Sequence, residues 1–217
     1  MTTLSLTTRC LLLVAIVVAA HALPAPAGAQ QAPAKSGFVI KKGNDTVAVE
    51  LFSRDGSNLT GEIYQSNGLR TQYTANLAAD GAIKYIEMTR AGRQGQGIGL
   101  TIAFGDTLVS ANMSGPGGEN EKMDFQSRGH HTPFLAVSFA LCQQIVRASQ
   151  LEVGKSQKWT AFRLGAADTT TLTLTRFHAD SVLFAMPDVQ LKVAVSANGD
   201  VTGGRHMGQD WLIERRK

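Results

Sequence analysis

DGSNLTGEIYQSNGLRTQYTANLAADGAIKYIEMTR, residues 55 to 90, decides the fold. Asp55-Gly56, Asn67-Gly68 and Asp80-Gly81 recur every 12 or 13 residues, and Asn198-Gly199 repeats the device near the far end. Asn-Gly and Asp-Gly accept the positive φ angles of tight hairpin turns, whose twist matches that of the strands they join. The runs between these corners alternate. Leu69, Thr71, Tyr73, Ala75 and Leu77 share one face, and Arg70, Gln72, Thr74, Asn76 and Ala78 the other. Later, Val189, Leu191, Val193 and Val195 alternate with Gln190, Lys192, Ala194 and Ser196. A period of two marks an antiparallel strand with one face in a core and one in water.

Working outward, the same reading predicts strands over 38–42, 46–54, 58–66, 69–79, 82–90, 98–104, 107–113, 121–126, 156–164, 170–177, 181–186, 189–196, 200–205 and 210–215. Between the two β halves one helix is expected at about 133–149. Thr132 would cap it and Pro133 suits its first position, where a missing N–H costs nothing. At 100° steps the apolar residues from Phe134 to Ala148 fill one arc, with Gln143, Gln144 and Arg147 opposite. Long meanders curl because strands twist. The expected fold is therefore mainly β: a long antiparallel meander forming a curved sheet or partial barrel, with the helix on its concave or open side. If the helix leaves space there, Phe134, Leu135, Phe139, Cys142 and Val146 are the candidate lining of an apolar pocket.

The start of the chain reads as targeting information. Arg9 precedes the unbroken apolar run Leu11–Ala20, Pro24 and Pro26 break any helix, and Ala27-Gly28-Ala29 offers small residues before a cut at Gln30. The run is half of the roughly 20 residues that span a bilayer. The expectation is a signal peptide over 1–29, a disordered leader over 30–36 and a single β-rich domain over 37–217, located in the periplasm or secreted. Loss of Arg9 lowers the formal charge from +4 to +3. The basic residues are interspersed, and the longest run is Arg215-Arg216-Lys217. Nucleic-acid binding needs a clustered basic face and is not expected. A membrane-spanning barrel is also disfavoured. Aromatic residues are 6% of the chain, too few for two interfacial girdles, and the outward positions carry Arg, Gln, Thr, Asn and Lys.

Of the two cysteines, Cys10 leaves with the signal peptide and Cys142 stays alone, so no internal disulfide is expected. Cys142 falls in the apolar arc of the helix and reads as a small buried hydrophobe. His131 stands eleven residues earlier, about 16 Å along a helix, against the ~3 Å that a thiolate–imidazole pair requires. Adjacent His130 and His131 point apart in extended chain, and no helical ligand pair accompanies them, so no metal site is assigned. The glycine-rich stretch Gly92–Gly99 leads into a strand, whereas a dinucleotide loop opens a helix, and a Walker lysine is missing. No cofactor and no catalytic residue is nominated.

Two segments carry a resemblance. Thr132-Pro133-Phe134-Leu135 through Leu141 is followed by Leu151-Glu152-Val153-Gly154 and a new strand. The closing β run goes from Phe177-His178-Ala179-Asp180-Ser181-Val182 through Asn198-Gly199-Asp200 to Trp211-Leu212-Ile213-Glu214-Arg215. The order of meander, helix and second β half resembles uncharacterised bacterial envelope domains of unknown function. The resemblance implies a curved sheet like that of periplasmic lipoprotein carriers. The functional expectation is an exported, non-enzymatic domain that binds a lipid or other apolar ligand, or an envelope protein. The alternatives are a purely structural interaction module and a hydrolase-type enzyme. The latter would join His130, His131, His178 or His206 with aspartates such as Asp180 and Asp210.

Overall fold

The glycine corners hold positive φ in the computed structural model, from +56° at Gly56 to +89° at Gly81. The structure describes residues 35–92, 97–126 and 129–216. The segment expected to be a signal peptide, most of the expected leader and Arg93–Gln96 of the glycine-rich stretch lie outside the described residues. Lys35 and Ser36, expected in the leader, are described, and Ser36 opens the first strand.

Between the corners run β1 (Ser36–Lys42), β2 (Asp45–Asp55), β3 (Asn58–Gln65), β4 (Arg70–Leu77), β5 (Ile83–Ala91), β6 (Gly97–Phe104), β7 (Leu108–Ser114) and β8 (Asn120–Gln126). A short β9 (His131–Phe134) precedes the helix α1 (Phe139–Ser149). The second half adds β10 (Ser156–Arg163), β11 (Asp168–His178), β12 (Ser181–Ala185), β13 (Gln190–Val195), β14 (Val201–His206) and β15 (Trp211–Arg216). Each predicted strand is present within two residues of its expected bounds.

Among the described residues, all fifteen strands form one sheet. β1–β8 and β10–β15 are each a meander of antiparallel neighbours, β9 adds a parallel edge beside β10, and the halves join in the middle, where β1 pairs with β15. The edges are β8 and β9, which do not pair with each other. The sheet nevertheless curls so that its arms meet face to face. Phe104 of β6 stacks on His131 of β9 at 5.4 Å, and Phe125 of β8 packs edge-on against Phe162 of β10 at 5.4 Å. Bulges at Ile40/Lys41 and Asn76/Leu77 sharpen the bend, since an extra residue on one strand adds local twist. The result is a curved sheet that stops short of a closed barrel.

The expected alternation places the core. Tyr73, Ala75 and Leu77 are buried while Arg70, Gln72, Thr74 and Asn76 are exposed. The helix lies against this inner face, with Phe139 packed on Phe38 at 5.6 Å and Phe38 stacked on Phe52 at 5.6 Å. Each such side chain contributes about 1.5–3 kcal/mol by leaving water.

The helix begins six residues later than 133–149 implies. His131–Phe134 instead forms an edge strand, and among the described strands it is the one that runs parallel to its neighbour. Pro133 explains this. It disfavours helical backbone at Thr132, and its missing N–H is tolerated on a sheet edge. The Thr160 and Leu164 N–H groups bond the His130 and Phe134 carbonyls at 2.7 and 2.9 Å. The cap is accordingly Ser138 and not Thr132.

Candidate functional site

The inner face of β2 presents Ala48, Glu50 and Phe52 to the core. Glu50 is fully buried, a costly place for a carboxylate unless donors surround it. Four do. Its Oε1 accepts from the Tyr73 hydroxyl at 2.7 Å and the Ser138 hydroxyl at 2.6 Å. Its Oε2 accepts from the backbone N–H groups of Phe139 at 2.6 Å and Ala140 at 3.1 Å. Those N–H groups belong to the first turn of α1, where intrahelical acceptors are lacking and the helix dipole favours negative charge. Glu50 thus docks the helix onto the sheet from 89 residues away in sequence. Burial raises its pKa above the ordinary value, against the pull of the hydrogen bonds from Ser138, Tyr73, Ala140 and Phe139.

The other end of α1 is tied to the second half of the sheet. Arg147 pairs with Asp200 at 2.6 Å. The Gln143 side-chain carbonyl accepts from the Val201 N–H and from Arg215, both at 3.1 Å. Arg215 also lies over the Phe38 and Phe52 rings. The helix therefore bridges β2–β4 and β14–β15 by polar contacts at each end.

Ser138 serves twice, accepting from the Leu141 N–H at 3.4 Å while donating to Glu50. Ser138→Ala is expected to cost about 1–2 kcal/mol in urea denaturation, with Ser138→Thr recovering most of it. A loss below a few tenths would mean that Glu50 holds the helix unaided.

The five candidate pocket residues all sit on the interior. Phe134, Phe139, Cys142 and Val146 are buried and Leu135 is partly so. Burial, with the Glu50 charge nearby, pushes the Cys142 thiol well above its ordinary pKa and keeps it protonated. The histidines stay apart. His206 is buried on the inner face, accepts the Gln209 N–H through Nδ1 at 3.3 Å, and is shifted down by burial. His178 is exposed at the end of β11. His130 stacks on Trp159 at 4.9 Å, and burial lowers the pKa of His131. His130 and His131 border a polar hollow of about 230 Å³ that also contains Asp80, Lys84, Asp106 and Trp159. Among the described residues, no three His, Cys, Asp or Glu side chains converge as metal ligands.

Among the described residues, the apolar inner surface reaches a partly exposed border on β7 and β8. Beside the edge, Met113 of β7 and Met123 and Phe125 of β8 continue the apolar inner surface but remain partly exposed. Methionine side chains there are flexible and adapt to irregular apolar shapes. Among the described residues, no helix is long and apolar enough to cross a membrane.

No known protein family matches the chain, and no curated protein matches it. Solved structures do share its fold. A DUF1089 family protein from Pseudomonas aeruginosa superposes with a TM-score of 0.55 at 12% identity, over 73% of this chain and 89% of its own. A beta-barrel-like protein of the domain of unknown function DUF1849 from Brucella abortus superposes with a TM-score of 0.53 at 12% identity, over 85% of this chain and 94% of its own. At that identity the likeness is one of fold. This chain is a mainly β, barrel-like domain similar to proteins of unknown function.

Proposed function

We propose that this protein is an exported, non-enzymatic domain of the cell envelope, periplasmic or secreted after cleavage near Ala29, that binds a lipid or other apolar ligand along the inner face of its curled sheet. One observation carries the reading: Met113, Met123 and Phe125 extend the apolar interior to a partly exposed border at an edge the sheet does not close. Apolar surface left accessible in a concave setting is where such ligands gain most. The sequence resemblance to envelope domains with a lipoprotein-carrier-like sheet supports the same assignment, and the structural neighbours support the fold alone.

The test is native mass spectrometry of protein recovered from its own envelope, followed by titration of the delipidated protein with a fluorescent fatty acid. A co-purified hydrophobe and saturable binding are expected. Met123→Asp, at the partly exposed border, should weaken the fatty acid by about tenfold, because it places an unpaired charge against the ligand. Absence of both the hydrophobe and the binding would leave a structural module.

A further inference from the structure

The sheet has two edges of unequal character. On β9, Thr132, Pro133 and Phe134 are buried, and Pro133 has no N–H to offer. On β8 the even-numbered residues Asn120, Lys122, Asp124 and Gln126 are all exposed. The turn before β8 fixes which backbone groups are unused. The Gly115 N–H bonds the Glu119 carbonyl at 2.8 Å, in register with the β7–β8 ladder. Bonded pairs alternate along an antiparallel ladder, so Glu121, Met123 and Phe125 bond toward β7. The N–H and C=O groups of Asn120, Lys122, Asp124 and Gln126 then point away from the sheet.

We propose that β8 is a homodimer edge: it pairs antiparallel with the β8 of a second copy of this chain, about a two-fold axis at Met123. In that register Lys122 stands opposite Asp124 of the other copy, and Asp124 opposite its Lys122. Asn120 meets Gln126 in the same way. Every pair joins residues whose backbone groups are free. Sliding the strands by two residues keeps the backbone bonds but sets Lys122 against Lys122 or Asp124 against Asp124. Sliding by one residue opposes free groups to groups already bonded to β7. Charge, backbone parity and full overlap of the seven-residue strand together favour one register.

Charged residues on an edge normally deter pairing. These two are spaced so that they deter the two neighbouring registers of the same backbone parity and favour this one. Lys122 and Asp124 already face each other at 3.5 Å on the outer surface with side chains 71% and 43% exposed, and Ser110 donates to Asp124 at 2.7 Å. Across the axis each lysine would lie between two carboxylates. On the inner side Met123 meets Met123 and Phe125 meets Glu121, so two partly exposed apolar side chains gain cover. Such an interface is isologous, the commonest kind in soluble oligomers. It uses the outward backbone groups of β8 and does not depend on the ligand reading above, so delipidated protein tests it separately.

Sedimentation equilibrium from micromolar to millimolar protein is the test. The wild type is expected to dimerise. Lys122→Asp and Asp124→Lys, each placing like charges opposite one another at two symmetric positions, should each weaken the dimer about tenfold or more. The double reversal Lys122→Asp with Asp124→Lys restores opposite charges and should restore the dimer, which also shows that the reversals leave the fold intact. A wild type that stays monomeric throughout overturns the proposal. So does a dimer indifferent to the single reversals, or a double reversal that fails to recover it.

Discussion

Glu50→Ala is expected to lower the free energy of unfolding by about 3–5 kcal/mol, among the largest single-residue effects in this chain. The substitution strands two hydroxyls and two backbone N–H groups in the core at once. Each unsatisfied buried group costs about 1–3 kcal/mol before any relaxation. Glu50→Gln keeps the shape but turns an amide donor toward other donors, so it should recover only part of the loss. The pH dependence separates the charge from the packing. Burial holds the Glu50 pKa above its ordinary 4.5 in the folded chain. Between 4.5 and that raised value the folded chain binds more protons than the unfolded one, so this contribution falls as pH rises. It is fully present below 4.5, where the Tyr73 and Ser138 hydroxyls can turn to accept the carboxyl proton. The advantage of wild type over Glu50→Gln, measured by urea denaturation at a series of pH values, should therefore shrink on going from acid to alkaline. An advantage that grows with pH would show that the four donors outweigh desolvation.

Gly61→Ala is expected to cost about 2–4 kcal/mol, although it adds a single methyl group. Gly61 stands directly across from Tyr73 in the β3–β4 ladder. A Cβ at Gly61 would fall 2.2 Å from Cζ and 2.3 Å from the hydroxyl oxygen of Tyr73. The ring lies over the bare glycine, and this is how the hydroxyl reaches Glu50. Relief requires the ring to swing aside and give up its hydrogen bond to the carboxylate. The effect should be strongly non-additive with Tyr73→Leu, which removes both the clash and the bond. A double-mutant cycle by chemical denaturation checks it. Full additivity would mean that the ring accommodates the methyl without leaving Glu50.

The strands were legible because two independent signals coincide in them. Asp-Gly and Asn-Gly corners mark the ends, and period-two alternation marks the faces, so residues 69 to 77 could be assigned to core and solvent one by one. Phe134 to Leu141 had no such agreement. An apolar run after Thr-Pro suits a helix start as well as a buried edge strand, and only the partner β10 decides between them. Glu50 was legible in principle. It shares the parity of Ala48 and Phe52, and a carboxylate on a core-facing position is an anomaly that demands donors. Its donors come from β4 and α1, which sequence alone does not bring together. The open border at Met113, Met123 and Phe125 was beyond reach for a similar reason: alternation says which face is inward but not where the curl stops. Whether folding joins His178 or His206 to His130 and His131 is not legible in a chain that separates them by about fifty residues or more, and the hollow bordered by His130 and His131 includes neither.

The ladder between β1 and β15 carries a consequence for how the chain folds. Every other ladder joins strands that are neighbours in sequence, so both arms can zip from their own corners. The central ladder pairs Phe38 with Arg215 and must close a loop that contains nearly the whole domain. Contacts of such sequence separation reward the chain only after the entropy of closure has been met, which makes them slow. Until that seam forms, each arm is a half-sheet with a raw central strand and half of the helix's anchors, and the newly made chain is then most vulnerable to pairing with the wrong neighbour.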